Sequence, residues 1–268
     1  MVCAPAYNPR VPVDAAAAAR AFIDSWLYLA SSVPGGWTRA KGAGLAGVTG
    51  VAVASLNGVW VQTVDPDLED ITDLLDQVAA TGLSHCLQLR PGAVARVSEL
   101  AGRRGMAHSE NIPLMALEDP GQLDAAQAVS GLVVRELVPD DAQLHARVAA
   151  AGFEIPLRML LQLMTPEVLA APGVRCYVGE AGGQPVTTGL GVKLGHNVAI
   201  FNIATPPEHR RRGYGAAVTA RAVADGLAAG ARWSALQSST DGYRVYQRLG
   251  FRELETWSCW VARAAPVA

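Results

Sequence analysis

Apolar positions recur at helical spacing in two places within the first eighty residues. Asp14 can cap a helix reaching about Ser31, in which Phe22, Trp26 and Leu29 share one face at spacings of four and three, and Pro34-Gly35-Gly36 ends it. From Trp37 to Gln62, short valine-rich runs alternate with glycine turns, including Asn57-Gly58, which predicts two or three strands. Asp67 to Ala80 follows as an amphipathic helix with Leu68, Ile71, Leu75 and Val78 inward. Then come a strand over His85 to Leu89, a helix over Val94 to Arg104 and a strand over Met106 to Leu117.

Glu118 to Ser130 has Pro120, Gly121 and polar residues without periodicity, and reads as a linker between 1–122 and 131–268. Beyond it the pattern predicts a strand at Leu132 to Val138 and helices at Asp140 to Ala151 and Pro156 to Ala170. Strands follow at Val174 to Glu180, Pro185 to Leu194 and Asn197 to Thr205. The chain then runs helix Gly213 to Ala229, strand Trp233 to Gln237, helix Asp241 to Leu249 and strand Arg252 to Ala262. Both halves close with helix, strand, helix, strand, and their last helices end in Gly105-Met106 and Gly250-Phe251. That parallel suggests an internal duplication.

Composition narrows the classes. At 268 residues, half of them hydrophobic and 17% charged, each half can bury a core, and two domains are expected. A formal net charge of -2 leaves no footprint for nucleic acid or an anionic membrane, so neither is expected as a partner. Cys3, Cys86, Cys176 and Cys259 are scattered, without a CxxC pair or metal-ligand spacing, so no metal is expected. Charges interrupt Ala15 to Ala30, and no run reaches the roughly 18 apolar residues of a membrane span. A reducing cytoplasm is the expected compartment.

The chemistry-bearing segment is Phe201 to Ala217, FNIATPPEHRRRGYGAA, in which a strand runs through a turn into a helix. The first N–H groups of a helix lack internal partners and the helix dipole makes that end partly positive, so an anion can sit there. Gly213 and Gly215 remove side chains that would keep a phosphate away, and Arg210, Arg211 and Arg212 bring positive charge. With two glycines and no spaced acidic residue this is not a dinucleotide fingerprint, and without Gly-Lys-Ser/Thr it is not a Walker loop.

Arg210-x-x-Gly213-x-Gly215 matches the R-x-x-G-x-G/A signature of the GNAT N-acyltransferase superfamily, and Tyr246-Gln-Arg-Leu-Gly-Phe251 is similar to its Y-x-x-x-G-F helix end. The resemblance spans roughly Leu132 to Ala262, while the first half resembles the degenerate half of tandem GNAT proteins. It implies two GNAT-like α+β domains in tandem, each a mixed, mostly antiparallel sheet flanked by helices. It also implies acetyl-CoA as acyl donor and an amine acceptor, a small molecule or a peptide amine, attacking directly. On that basis the diphosphate lies on Arg210, Arg211, Arg212, Gly213, Tyr214, Gly215 and Ala216. The pantetheine runs along Ile203, Ala204 and Thr205, Ser239 stands where many relatives have Asn, and Tyr246 is the acid for the departing thiolate. The alternative is a catalytically silent CoA-binding or regulatory module, and a homodimer stays open as an assembly.

Each of these residues also has an ordinary structural reading. The arginines and glycines could form a solvated capping turn, and Tyr246 could be a core tyrosine. Asn202, inside an apolar strand, must hold a bulge or meet a ligand. No carboxylate lies on Asn197 to Thr205, so Glu180, His196 and His209 are the nearest candidates for a base, and Cys176 reads as core.

Overall fold

A computed structural model describes residues 12–121, 123, 126 and 128–263 of the protein. The proline-rich start up to residue 11, Cys3 and linker residues 122, 124, 125 and 127 lie outside the described residues.

The first half runs α1 (Ala15–Ser32), β1 (Trp37–Lys41), β2 (Gly44–Val48), β3 (Asn57–Val61), α2 (Leu68–Ala79), β4 (His85–Leu89), α3 (Val94–Arg103) and β5 (Ala107–Leu117). The second begins β6 (Leu132–Glu136), α4 (Ala142–Phe153), α5 (Leu157–Leu163), α6 (Pro166–Ala170), β7 (Val174–Ala181), β8 (Gln184–Leu194) and β9 (Asn197–Ala204). It ends with α7 (Tyr214–Ala228), β10 (Trp233–Gln237), α8 (Thr240–Arg248) and β11 (Arg252–Ala262). Asp14 caps α1 through Ala17 N–H at 2.7 Å, as its position suggested. The single helix expected over Pro156 to Ala170 is two, because Pro166 holds Thr165 extended and cannot donate into the preceding turn.

The eleven strands of the described residues form one sheet in the order β1-β2-β3-β4-β11-β5-β10-β9-β8-β7-β6. The halves are interlocked within it. The last strand of the chain, β11, lies between β4 and β5 of the first half, while β5 lies between β11 and β10. Each half is a mixed sheet with one parallel pair, β3 with β4 and β9 with β10, among antiparallel neighbours. Helices α1, α4, α5 and α6 cover one face in a shared core that includes Phe22, Trp26, Trp60, Ala146, Leu163 and Trp257. The other face carries two cores, under α2 and α3 in the first half and under α7 and α8 in the second. Leu123 of the connector is 2% exposed within that last core, which anchors the connector at this residue.

Candidate active site

The site begins with a defect in strand pairing. Thr188 and Leu190 of β8 face Ala204 and Phe201 of β9, so β9 carries one residue more than its partner across that interval. The bulge places Asn202 at φ +52°, a left-handed conformation few side chains adopt, and bends the strand. Among the described residues the Asn202 side-chain NH2 donates only to Met164 Sδ, at 3.6 Å. On the other edge of β9, the parallel pairing with β10 runs from Trp233–Asn197 to Ala235–Ala199 and stops. Leu236 and Gln237 instead continue along Met115 and Leu114 of β5. Strands β9 and β10 therefore part beyond Ala199, leaving the β9 edge from Ile200 to Ala204 without a strand on that side.

The chain leaves this opening through Pro206 and a single 3-10 turn at Pro207–His209, then enters α7 with Arg211 at φ +66° and Gly213 at φ +83°. The first bond of α7 is from Ala217 N–H to the Gly213 carbonyl at 3.0 Å, and no side chain caps the helix. Among the described residues the N–H groups of Tyr214, Gly215 and Ala216 have no acceptor, which leaves a partly positive cluster of donors for solvent or an anion. A Cβ on Gly215 would stand 3.4 Å from Ile203 Cγ2 and 3.5 Å from Thr205 Oγ1, so the helix start sits directly against the end of β9. Gly213 needs its glycine for the positive φ alone.

Arg211 and Arg212 are exposed at this start, whereas Tyr214 is buried and offers only its backbone. Arg210 is engaged on protein through two of its three nitrogens. Its guanidinium donates to the Thr205 carbonyl at 3.1 Å, to the Gly152 carbonyl at 2.8 Å and to Glu154 at 2.9 Å. Ile203 is half-buried, Ala204 buried, and Thr205 bonds Thr187 Oγ1 at 2.9 Å.

Ser239 and Tyr246 flank the opening from the β10 side. Parallel strands end at the same edge of a sheet, so α8, entered from β10, begins beside the start of α7. The Ser239 hydroxyl caps α8 by accepting from Gly242 N–H at 3.2 Å. The Tyr246 ring lies over Gly242, packs edge-on to Phe251 at 5.9 Å and shares a core with Ile203 and Ala216. Its hydroxyl has no partner among the described residues, and burial pushes its pKa up to about 12.

Two of the three expected base candidates, Glu180 and His196, lie away from the opening. Glu180 is paired with Arg135 at 3.1 Å, and His196 lies in the turn before β9, at the closed end of the β9–β10 pair. His209 sits in the turn after β9 with its Nδ1 buried and unpartnered. Cys176 is buried in the core, which raises its thiol well above the usual range. The described residues contain no group of three or more His, Cys, Asp or Glu placed to hold a metal, and none of their helices is long and apolar enough to cross a membrane.

Two features carried no local sequence signal. His145 on α4 is fully buried; Thr188 Oγ1 donates to the Tyr177 carbonyl at 2.7 Å, so His145 Nδ1 donates to Thr188 at 2.8 Å and Nε2 is left bare. Burial lowers its pKa to about 4. The second is a polar layer that crosses the junction of the halves. Gln237, at the end of β10, donates to Gln88 Oε1 of β4 at 2.8 Å. Arg90 forms a two-point pair with Glu255 of β11 at 2.8 and 2.9 Å, the side chains only 15% and 10% exposed. Trp257 Nε1 also donates to Glu255, at 2.7 Å.

The first half lacks an equivalent opening. Its parallel pair stays closed from Gly58–Cys86 to Val61–Leu89, and Arg90 bridges past the end to the Gln62 carbonyl at 2.9 Å. Its helix α2 is capped by Asp67 and carries Glu69 and Asp70 in the first turn, which repel an anion.

Residues 172–253 match the profile of the acetyltransferase (GNAT) domain. No curated protein matches the chain in sequence. In fold it is similar to a GCN5-related N-acetyltransferase from Kribbella flavida, at TM-score 0.67 and 20% identity over 94% of this chain and 96% of that one. A GCN5-related N-acetyltransferase from Sphaerobacter thermophilus gives 0.59 and 17%, over 84% and 78%. A tandem GNAT protein from the clavulanic acid biosynthesis pathway gives 0.55 and 15%, over 93% and 97%.

Proposed function

We propose that this chain, which carries a GNAT acetyltransferase domain over residues 172–253 within a tandem GNAT fold, is a cytoplasmic N-acetyltransferase that transfers acetyl from acetyl-CoA directly to an amine. The observation that carries the reading is the contiguous pair of an opened β9 edge and an uncapped α7 start. In this reading the N–H groups from Arg211 to Ala216 hold the diphosphate, assisted by the exposed Arg211 and Arg212. The free β9 edge at Ile203 to Thr205 pairs with the amides of the pantetheine arm, and an N–H near Ile203 or Ala204 polarises the thioester carbonyl. Tyr246 supplies a donor to the departing thiolate. Ser239 contributes by fixing the start of α8 through its cap. The first half binds no donor and instead completes the acceptor groove, through the Gln88–Gln237 and Arg90–Glu255 contacts that tie β4 to β10 and β11.

A second reading, a CoA-binding module without turnover, is favoured by one observation: Glu180 and His196 both lie where they cannot serve as base. The two separate on the release of free thiol from acetyl-CoA in the presence of a panel of polyamines, arylamines, amino sugars and peptide amines. Amine-dependent release supports the transferase. Tight CoA binding with no release above the amine-free rate supports the silent module.

A further inference from the structure

Arg210 is the first residue of the motif that marks the cradle, and its type suggests a phosphate ligand. The bonds it makes give it a different task. Two of its three nitrogens are used on protein: Nε on the Thr205 carbonyl, where β9 ends, and Nη2 on the Gly152 carbonyl, in the last turn of α4, while Nη1 has no partner among the described residues. Those two backbones touch. A Cβ on Gly152 would stand 2.8 Å from both Ala204 Cβ and Thr205 N, so only glycine lets α4 approach β9 this closely. Immediately after it, Glu154 turns the chain at φ +56° and pairs with Arg210 across a surface where the two side chains are 42% and 63% exposed. An ion pair that exposed contributes little by itself. The anchoring therefore comes from the two carbonyls, and Glu154 orients the guanidinium toward them.

We propose that Arg210 is a positioning residue that clamps the C-terminal turn of α4 to the end of β9, and so fixes the β9 edge and the α7 start relative to each other, rather than a ligand of the diphosphate. The clamp joins the last turn of α4 to the strand whose open edge carries the donor in the reading above. Its first consequence needs no ligand, and its second rests on the donor reading above.

The experiment compares wild type with Arg210→Gln, Arg210→Lys and Glu154→Gln. In ligand-free protein, Arg210→Gln should raise amide hydrogen exchange about tenfold or more in peptides covering 151–156 and 203–210, with Arg210→Lys intermediate and peptides from α2 and α3 unchanged. Calorimetry with CoA should show Glu154→Gln within about twofold of wild type. Unchanged exchange in Arg210→Gln would overturn the clamp. So would a tenfold gain in CoA affinity in Glu154→Gln, because a phosphate ligand held back by a carboxylate is freed when that carboxylate is neutralised. A wild type that binds no CoA would remove the donor reading, while the exchange result would still decide the clamp.

Discussion

Replacing Tyr246 by Phe deletes one oxygen and leaves the packing intact. The hydroxyl has no partner among the described residues, and the ring keeps its edge-on contact with Phe251 at 5.9 Å. Stability should therefore change by no more than about 0.5 kcal/mol, a shift of about 2 °C or less in Tm. The rate is another matter. Burial holds the phenol at about 12, against about 8.5 for a free thiol, so complete transfer of its proton to the thiolate is uphill by about 3.5 pH units, or about 5 kcal/mol. In the proposed transfer, Tyr246 then serves chiefly as a charge-assisted hydrogen-bond donor while negative charge builds on sulfur, worth about 1.5–3 kcal/mol. Losing it should lower kcat about 10- to 150-fold and leave the acetyl-CoA KM nearly unchanged. The sign of the pH dependence follows from the same shift. The protonated phenol is the working form, and a pKa raised to about 12 keeps it protonated, so Tyr246 should impose no alkaline fall in kcat below about pH 11. Steady-state kinetics with a single-turnover control for the chemical step is the assay. A Phe variant within about threefold of wild type, with chemistry rate-limiting, would make Tyr246 a core tyrosine and leave protonation to solvent.

His145, with a folded pKa of about 4 against about 6.5 unfolded, contributes stability that is complete above pH 6.5 and declines as pH falls toward 4. Urea titrations at pH 7 and 4.5 should show about 2.5 kcal/mol of acid loss from this group, and His145→Asn should remove most of it; an identical acid loss in the variant would assign the effect to carboxylates. A fragment of residues 131–268 should aggregate, because β11 would lose both β4 and β5 and present two bare edges; a soluble fragment with full activity would contradict this.

The uncapped start of α7 was legible in the sequence because it is local. Strand, turn, two glycines and helix follow within seventeen residues, and each leaves its own mark on residue type. The bulge at Asn202 was half-legible, since an amide in an apolar strand signals an irregularity without saying which. The break at Met164–Thr165 was visible in Pro166 but was overridden by the run of leucines before it. Arg210 shows how a residue's type can point to charge chemistry while its partners, Gly152 and Glu154, lie more than fifty positions away. The exchange of β5 and β11 could not be read at all. Each strand has the alternation of any half-buried strand, and nothing in Arg252 to Ala262 says whether its neighbours come from its own half or the other. The Gln88–Gln237 and Arg90–Glu255 contacts exist only because of that exchange.

Calorimetric titration of the full chain with CoA tests the central claim most directly. One site per chain is expected, lost on Gly213→Glu, since a carboxylate would then stand at the open N–H groups of α7 in a conformation that only glycine adopts easily. Two sites per chain, or undiminished binding by the Gly213→Glu variant, would contradict it.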